Sequence, residues 1–165
     1  MALAVAAMEA SGAFRSEEGV RRGAAAASVP GRFQRVTYKG RTLLLDGAHN
    51  PDAATVLAAG LDAEFGAGKY VLVTNMLAGH EPGSFYNILR GRVLSAHVVP
   101  VDFHRSTPVP KMVERLEPLF HRVVGHNTIL EGLETAVAEA APGDLVLVTG
   151  SFYLVGELLR LIAPS

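Results

Sequence analysis

Residues 43–54 read "LLLDGAHNPDAA": three leucines run into a carboxylate, Asp46, and an imidazole, His49, follows three positions later. A buried strand that ends on an acid presents that acid at the strand's mouth. There it can take a pair of ribose hydroxyls, a metal ion or the N-terminus of a neighbouring helix. The next three residues have a simpler account. Asn50 suits an N-cap, Pro51 the first helical position and Asp52 the first turn, where its charge complements the helix dipole. Capping needs neither Asp46 nor His49, so these two remain candidates for chemistry. A second strand-to-helix joint lies at 148–159, "VTGSFYLVGELL". The turn after Thr149-Gly150 offers free backbone N–H groups and a dipole end, worth about 0.3–1 kcal/mol for a nearby anion. Ser151 either adds a hydroxyl donor to such an anion or serves only as the helix cap.

Several catalytic devices are missing from these 165 residues. There is no G-x-x-x-x-G-K-[ST] phosphate loop and no G-x-G-x-x-G after a strand, so the chain has no motif of its own for cradling a triphosphate or dinucleotide. The six histidines form no H-x-x-x-H pair, and no G-x-S-x-G surrounds Ser151, which argues against a zinc site and against a serine nucleophile. Cysteine is absent, which excludes disulfides and thiol chemistry and fits a cytoplasmic protein. A net charge of −1 with scattered basic residues gives no footprint for nucleic acid or an anionic membrane. No apolar run approaches the roughly 20 residues that span a bilayer. The alanine-rich start carries Glu9 and no basic leader, so it does not read as a signal peptide.

The elements that must hold Asp46 and Ser151 follow from periodicity. Residues 2–11 and 16–27 read as helices, the second capped by Ser16, and "SVPGR" at 28–32 breaks the chain as a linker. Residues 33–46 read as a hairpin turning at Lys39-Gly40. Thereafter helices at 51–66, 109–120, 129–141 and 151–163 alternate with strands at 70–75, 96–101, 121–125 and 144–150, with a loop and short helix over 76–91. On the 51–66 helix Ala53, Val56, Leu57, Gly60, Leu61 and Phe65 fall on one apolar face. Alternation with strands apolar on both sides predicts an α/β fold. It is a Rossmann-like doubly wound sheet of about six strands, mostly parallel, with one antiparallel edge strand from the hairpin and a helical N-terminal appendage. In such sheets ligands bind beyond the carboxyl ends of the strands, which directs attention to residues 46–50, 75–82, 101–107 and 150–153.

Taken together, Pro30 with "GRFQ" (31–34), "LLLDGAHNPDAA" and "LVTGSFYLVGELL" resemble, in order and spacing, the C-terminal domain of the folylpolyglutamate synthase/dihydrofolate synthase family of Mur ligases. The resemblance covers residues 30–165, and residues 1–29 look like the last helical stretch and linker of that family's preceding ATP-binding domain. It implies an ATP-dependent carboxylate–amine ligase adding L-glutamate to dihydropteroate or folates. A folate carboxylate attacks the ATP γ-phosphate to give an acyl phosphate, and the glutamate amine displaces phosphate. Carried over, the resemblance implies that Arg32 reaches the ATP phosphates and that Asp46 accepts from the ribose hydroxyls. It also implies that His49 lies near the incoming glutamate or the phosphates, and that Ser151 holds a glutamate carboxylate. No residue of this domain acts as a covalent catalyst, and Mg²⁺ is held mainly by the preceding domain.

Two departures bear on these implications. The family has a Met-x-x-Asp-Lys-Asp run after the second buried strand, whose lysine helps bind the amino acid; here 75–86 reads "NMLAGHEPGSFY", without lysine. That leaves the identity of the amino acid open, with Arg105 on a neighbouring strand end as a substitute cation. Nor do these residues contain a phosphate loop, so the chain alone is expected to perform no ligation without a phosphate-loop domain in cis or in trans. Apolar residues over 2–11, Ala4, Val5 and Met8 among them, are expected to pack on this domain's own surface or on a second copy, as a homodimer. Alternative readings are a Mur-type domain for another amino acid, or a non-catalytic nucleotide-binding or interaction module.

Overall fold

A computed structural model describes residues 2–12, 16–27 and 29–163. Two helices come first, α1 (Ala2–Ala10) and α2 (Glu17–Ala26). Ser16 caps α2, its hydroxyl accepting from the Gly19 N–H at 3.0 Å. From Val5 to Ala10 the side chains of α1 are half-buried or exposed, Met8 at 39%, and none of these described side chains is buried. The Ala4 side chain lies outside the described residues.

Strands β1 (Gln34–Tyr38) and β2 (Arg41–Leu45) form the antiparallel hairpin. Lys39 and Gly40, with φ of 47° and 75°, supply the left-handed turn that suits the strands' twist. There follow α3 (Pro51–Phe65), β3 (Tyr70–Thr74), α4 (Pro82–Leu89), a 3-10 turn at Arg90–Arg92, β4 (Val93–Val98) and α5 (Val109–Leu116). The chain then runs through β5 (Val123–Gly125), α6 (Ile129–Glu139), β6 (Leu145–Thr149) and α7 (Phe152–Ile162). The strand expected at 96–101 lies three residues earlier, because Val93 already pairs beside Tyr70 of β3. The helix expected at 109–120 ends at Leu116, although Phe120 is still buried.

The sheet order is β1-β2-β6-β3-β4-β5, antiparallel only at β1. Alternation within the central strands fills two cores. Leu44, Leu72 and Leu147 face Leu57, Phe85 and Met112 of α3, α4 and α5, whereas Leu43, Val73 and Val148 face Leu133 and Leu158 of α6 and α7. Leu43, Leu44 and Leu45 are each wholly buried, worth about 1.5–3 kcal/mol apiece, so a slip in their register would be costly. The last strand in sequence, β6, inserts between β2 and β3. This placement sets the exit loop of β2, with Asp46, beside the exit loop of β6, with Ser151, although a hundred residues separate them in the chain.

Candidate functional site at the strand ends

Asp46 follows β2, its own N–H bonded to the Val148 carbonyl of β6 at 3.0 Å. Its carboxylate accepts from two backbone donors, Oδ1 from the Ala48 N–H and Oδ2 from the Phe33 N–H, both at 2.8 Å. These bonds fix the carboxylate and bind the linker to the strand end. Each oxygen retains a lone pair for a further donor. Asp46 is 9% exposed and opens on a groove of about 520 Å³ bounded by Arg32, Phe33, Val56, Leu57 and Gly60. Val56 departs from expectation: it shares the apolar stripe of α3 but is 74% exposed, because Ala54, Leu57 and Leu61 turn into the core and Val56 walls this groove instead.

The ring of Phe152, at the first position of α7, is the hub on which the other residues converge. The Arg32 guanidinium lies 4.4 Å from its centroid, a cation–π contact of about 0.5–2 kcal/mol. His49 meets the same ring edge-on at 6.1 Å between centroids. A Cβ at Gly47 would fall inside the Phe152 ring's contact distance, so only glycine lets the Asp46 loop pass this close. Gly47 also donates to the Gly31 carbonyl at 2.7 Å, and its own carbonyl takes the His49 Nδ1 at 2.8 Å. Because that carbonyl can only accept, the Nδ1 of His49 carries a proton. Gly150 seals the joint with β6: its N–H donates to the Ala48 carbonyl at 3.0 Å, and a Cβ would stand 2.5 Å from the Asn75 carbonyl oxygen.

Helix caps fall where the sequence placed them. Asn50 Oδ1 accepts from the Ala53 N–H at 2.8 Å. Ser151 is 3% exposed, and its Oγ accepts from the Tyr153 N–H at 3.1 Å, so the hydroxyl is spent as an acceptor on α7 while its O–H remains able to donate. Arg32, Asp46, His49 and Ser151 therefore share one rim, at the exits of β2 and β6.

Arg105 sits across the rim, in the loop after β4. Its carbonyl accepts from Ala78 at 2.7 Å, and Leu77 bridges Ser106, so the exit loops of β3 and β4 are joined. Buried Asn75 locks that joint by donating to Val99 at 2.7 Å and to Thr107 at 3.1 Å. The neighbouring His80 packs edge-on against His49 at 5.1 Å and links the two halves of the rim. Burial, then the proximity of His49 and Arg105, lowers the His80 pKa, so it stays neutral at pH 7. Among the described residues no three His, Cys, Asp or Glu side chains gather in an arrangement that could hold a metal ion. No described helix is long and apolar enough to cross a membrane.

Sequence reasoning passed over Phe152, whose role depends on β6 lying next to β2. Its available signal was the glycine after Asp46. It also passed over Lys111 and Arg115, which α5 brings to the cleft beside His80.

Comparison with known proteins is consistent with this geometry. The model of the "Mur ligase, glutamate ligase domain" matches residues 31–152. The Escherichia coli dihydrofolate synthase/folylpolyglutamate synthase is 32% identical over 161 residues, which is 98% of this chain and 37% of that protein. Among solved structures, E. coli FolC in complex with DHPP and ADP superposes with a TM-score of 0.84 at 31% identity, covering 96% of this chain and 37% of that one. The Yersinia pestis bifunctional enzyme complexed with AMPPNP and Mn ion gives 0.77 at 32% identity, covering 88% of this chain and 34% of that one. The chain thus spans less than two fifths of the length of the curated relatives it matches. With most of its length matched by that model, the chain belongs to the Mur ligase family, as its glutamate ligase domain.

Proposed function

We propose that this domain is the closing half of an ATP-dependent carboxylate–amine ligase that joins L-glutamate to dihydropteroate or a folate. The observation that carries the reading is the convergence of Arg32, Asp46 and His49 on one rim around Phe152, next to an apolar groove. In this reading the groove takes a nucleoside and the fixed Asp46 carboxylate receives the ribose hydroxyls. Arg32, held flat on Phe152, offers its guanidinium fork to the phosphates. His49 and the O–H of Ser151 face the amino acid. Their task is positioning and charge stabilisation, which suits a reaction whose barrier lies in bringing two anions and an amine together. The phosphate loop and the magnesium ligands come from a further module, in cis or in trans, since these residues hold neither. The exposed apolar side chains of α1 suit contact with that module or with a second copy. The cysteine-free composition suits a cytoplasmic setting.

The test is reconstitution. Mixing the chain with a phosphate-loop domain of the family, MgATP, dihydropteroate or a folate, and L-glutamate should release phosphate in step with product. Asp46→Ala or Arg32→Ala should raise the nucleotide Kd roughly 10-fold or more, the loss of a charge-assisted hydrogen bond. No phosphate release with any acceptor would leave a non-catalytic nucleotide-binding or interaction module. A second reading, a different amino acid, is favoured by one observation: the 76–83 loop offers a neutral imidazole, His80, and no lysine. A panel of amino acids in the same assay decides it.

A further inference from the structure

We infer that Thr107, Lys111 and Arg115 form a carboxylate subsite beside His80. The inference rests on the ligase reading only for the identity of the ligand. A cleft of about 280 Å³ lies between the loop after β3 and the start of α5, and its walls include His80, Thr107, Lys111 and Arg115. Thr107 is 3% exposed, and its backbone is committed: the N–H donates to Met76 at 3.1 Å and the carbonyl accepts from Asn75 at 3.1 Å. Its hydroxyl, by contrast, is the one buried side-chain oxygen or nitrogen among the described residues that lacks a hydrogen-bond partner. A buried hydroxyl without a partner is costly, and a ligand in the cleft would supply one.

The surroundings select an anion. Lys111 and Arg115 stand one turn apart on the same face of α5, and neither forms an ion pair among the described residues. Pro108 precedes α5 and no side chain caps it, so the Val109 and Lys111 N–H groups remain at the cleft's end of the helix. The one acid in the wall, Glu81, is turned to α4, where its Oε1 accepts from the Gly83 N–H at 3.3 Å. His80 is biased neutral by burial and by His49 and Arg105, so the positive charge here comes from α5. An Arg fork matches carboxylate and phosphate alike; the continuity of this cleft with the rim assigned to the amino acid favours a carboxylate. Because His80 also touches His49, the cleft continues the rim. Its ligand is then a carboxylate of the free amino-acid substrate, or of a γ-linked glutamyl tail on the acceptor.

Titration of the full chain, followed by amide chemical shifts, tests this with L-glutamate, γ-glutamylglutamate, acetate and inorganic phosphate as probes. L-Glutamate or γ-glutamylglutamate, or both, should shift resonances of residues 78–81 and 107–115. Lys111→Gln, Arg115→Gln and Thr107→Val should each weaken that binding about 5- to 10-fold. Thr107→Val should keep or raise Tm, which separates lost binding from lost folding. Preference for L-glutamate assigns the free substrate, and preference for the dipeptide assigns the tail. Equal affinity for inorganic phosphate, or glutamate and dipeptide binding indifferent to all three substitutions, overturns the subsite. Phosphate release on reconstitution with the phosphate-loop domain reports on the ligase reading separately. Lys111-dependent glutamate or dipeptide binding without phosphate release in that assay would sink that reading and leave the subsite standing.

Discussion

Two imidazole pairs of nearly equal spacing have opposite settings in this fold. His49 and His80 meet at the mouth with centroids 5.1 Å apart, and His97 and His126 stack in the interior at 5.2 Å. The interior pair forms a hydrogen-bonded chain whose outer carboxylates reach solvent. His97 Nδ1 and His126 Nε2 lie 2.9 Å apart, Glu139 stands 3.2 Å from His97 Nε2, Glu131 stands 3.6 Å from His126 Nδ1, and Ser95 lies alongside. Both carboxylates come from α6, so these contacts fasten that helix to β4 and to the exit of β5. Among the described residues neither ring of the mouth pair lies within ion-pair distance of a carboxylate. The neighbours of that pair are the Phe152 ring, carrying Arg32, and the Arg105 loop. An imidazole pair whose acceptors are built in is structural; one surrounded by donors and cations has room for an anion that the protein does not supply.

Substitutions sharpen this contrast, beginning inside. His97→Ala leaves the buried His126 Nε2 without its partner, leaves Glu139 only Arg122, and opens a cavity, so urea denaturation should show a loss of about 2–4 kcal/mol. If the loss were below 0.5 kcal/mol, the interior pair would not be structural. Gly47→Ala should cost about 1–3 kcal/mol, because the new methyl group displaces Phe152, and it should weaken nucleotide binding with it by unseating Arg32. Normal stability and normal ADP affinity in that variant would remove Phe152 from the centre of the site.

The pH response should also divide the pairs. Burial is the main cause of a His97 pKa below its ordinary value; His126 and Arg122 lower it further, while Glu139 opposes them. With the folded value depressed, the unfolded chain takes up this proton first. Stability should therefore fall as pH drops below about 6.5, by at most about 1.4 kcal/mol per pH unit for one proton, and level off below the folded pKa. His97→Gln should flatten that slope. The smallest effect belongs to the mouth: His80→Gln should change stability by less than about 0.5 kcal/mol. A loss as large as that of His97→Ala would make the mouth pair a second structural pair and break the comparison.

The elements were legible wherever local chemistry decides. Asn50-Pro51-Asp52 starts α3 with its cap bond in place, Lys39-Gly40 turns the hairpin, and the all-apolar strands lie buried in the parallel sheet. Strand β4 was misplaced by three residues because "RVLSAHVVPV" is apolar enough to pair in more than one frame, and only the register with β3 selects one. Val56 follows helical spacing as well as Leu57 does. Periodicity alone cannot tell a core position from the wall of a groove.

By itself the sequence determined which residues carry charge and hydrogen-bonding capacity near the strand ends, Arg32, Asp46, His49, Arg105 and Ser151, and that Asp46 closes a strand and Ser151 opens a helix. Those properties depend on neighbours a few positions away. Only the tertiary structure decided that they share a rim, that the Phe152 ring meets Arg32 and His49 there, and that Lys111 and Arg115 of α5 lie beside the 76–83 loop. The reason is topological. β6 enters the sheet between β2 and β3, and side chains far apart in sequence meet where the hydrogen-bond ladder, and not the chain's order, sets their neighbours.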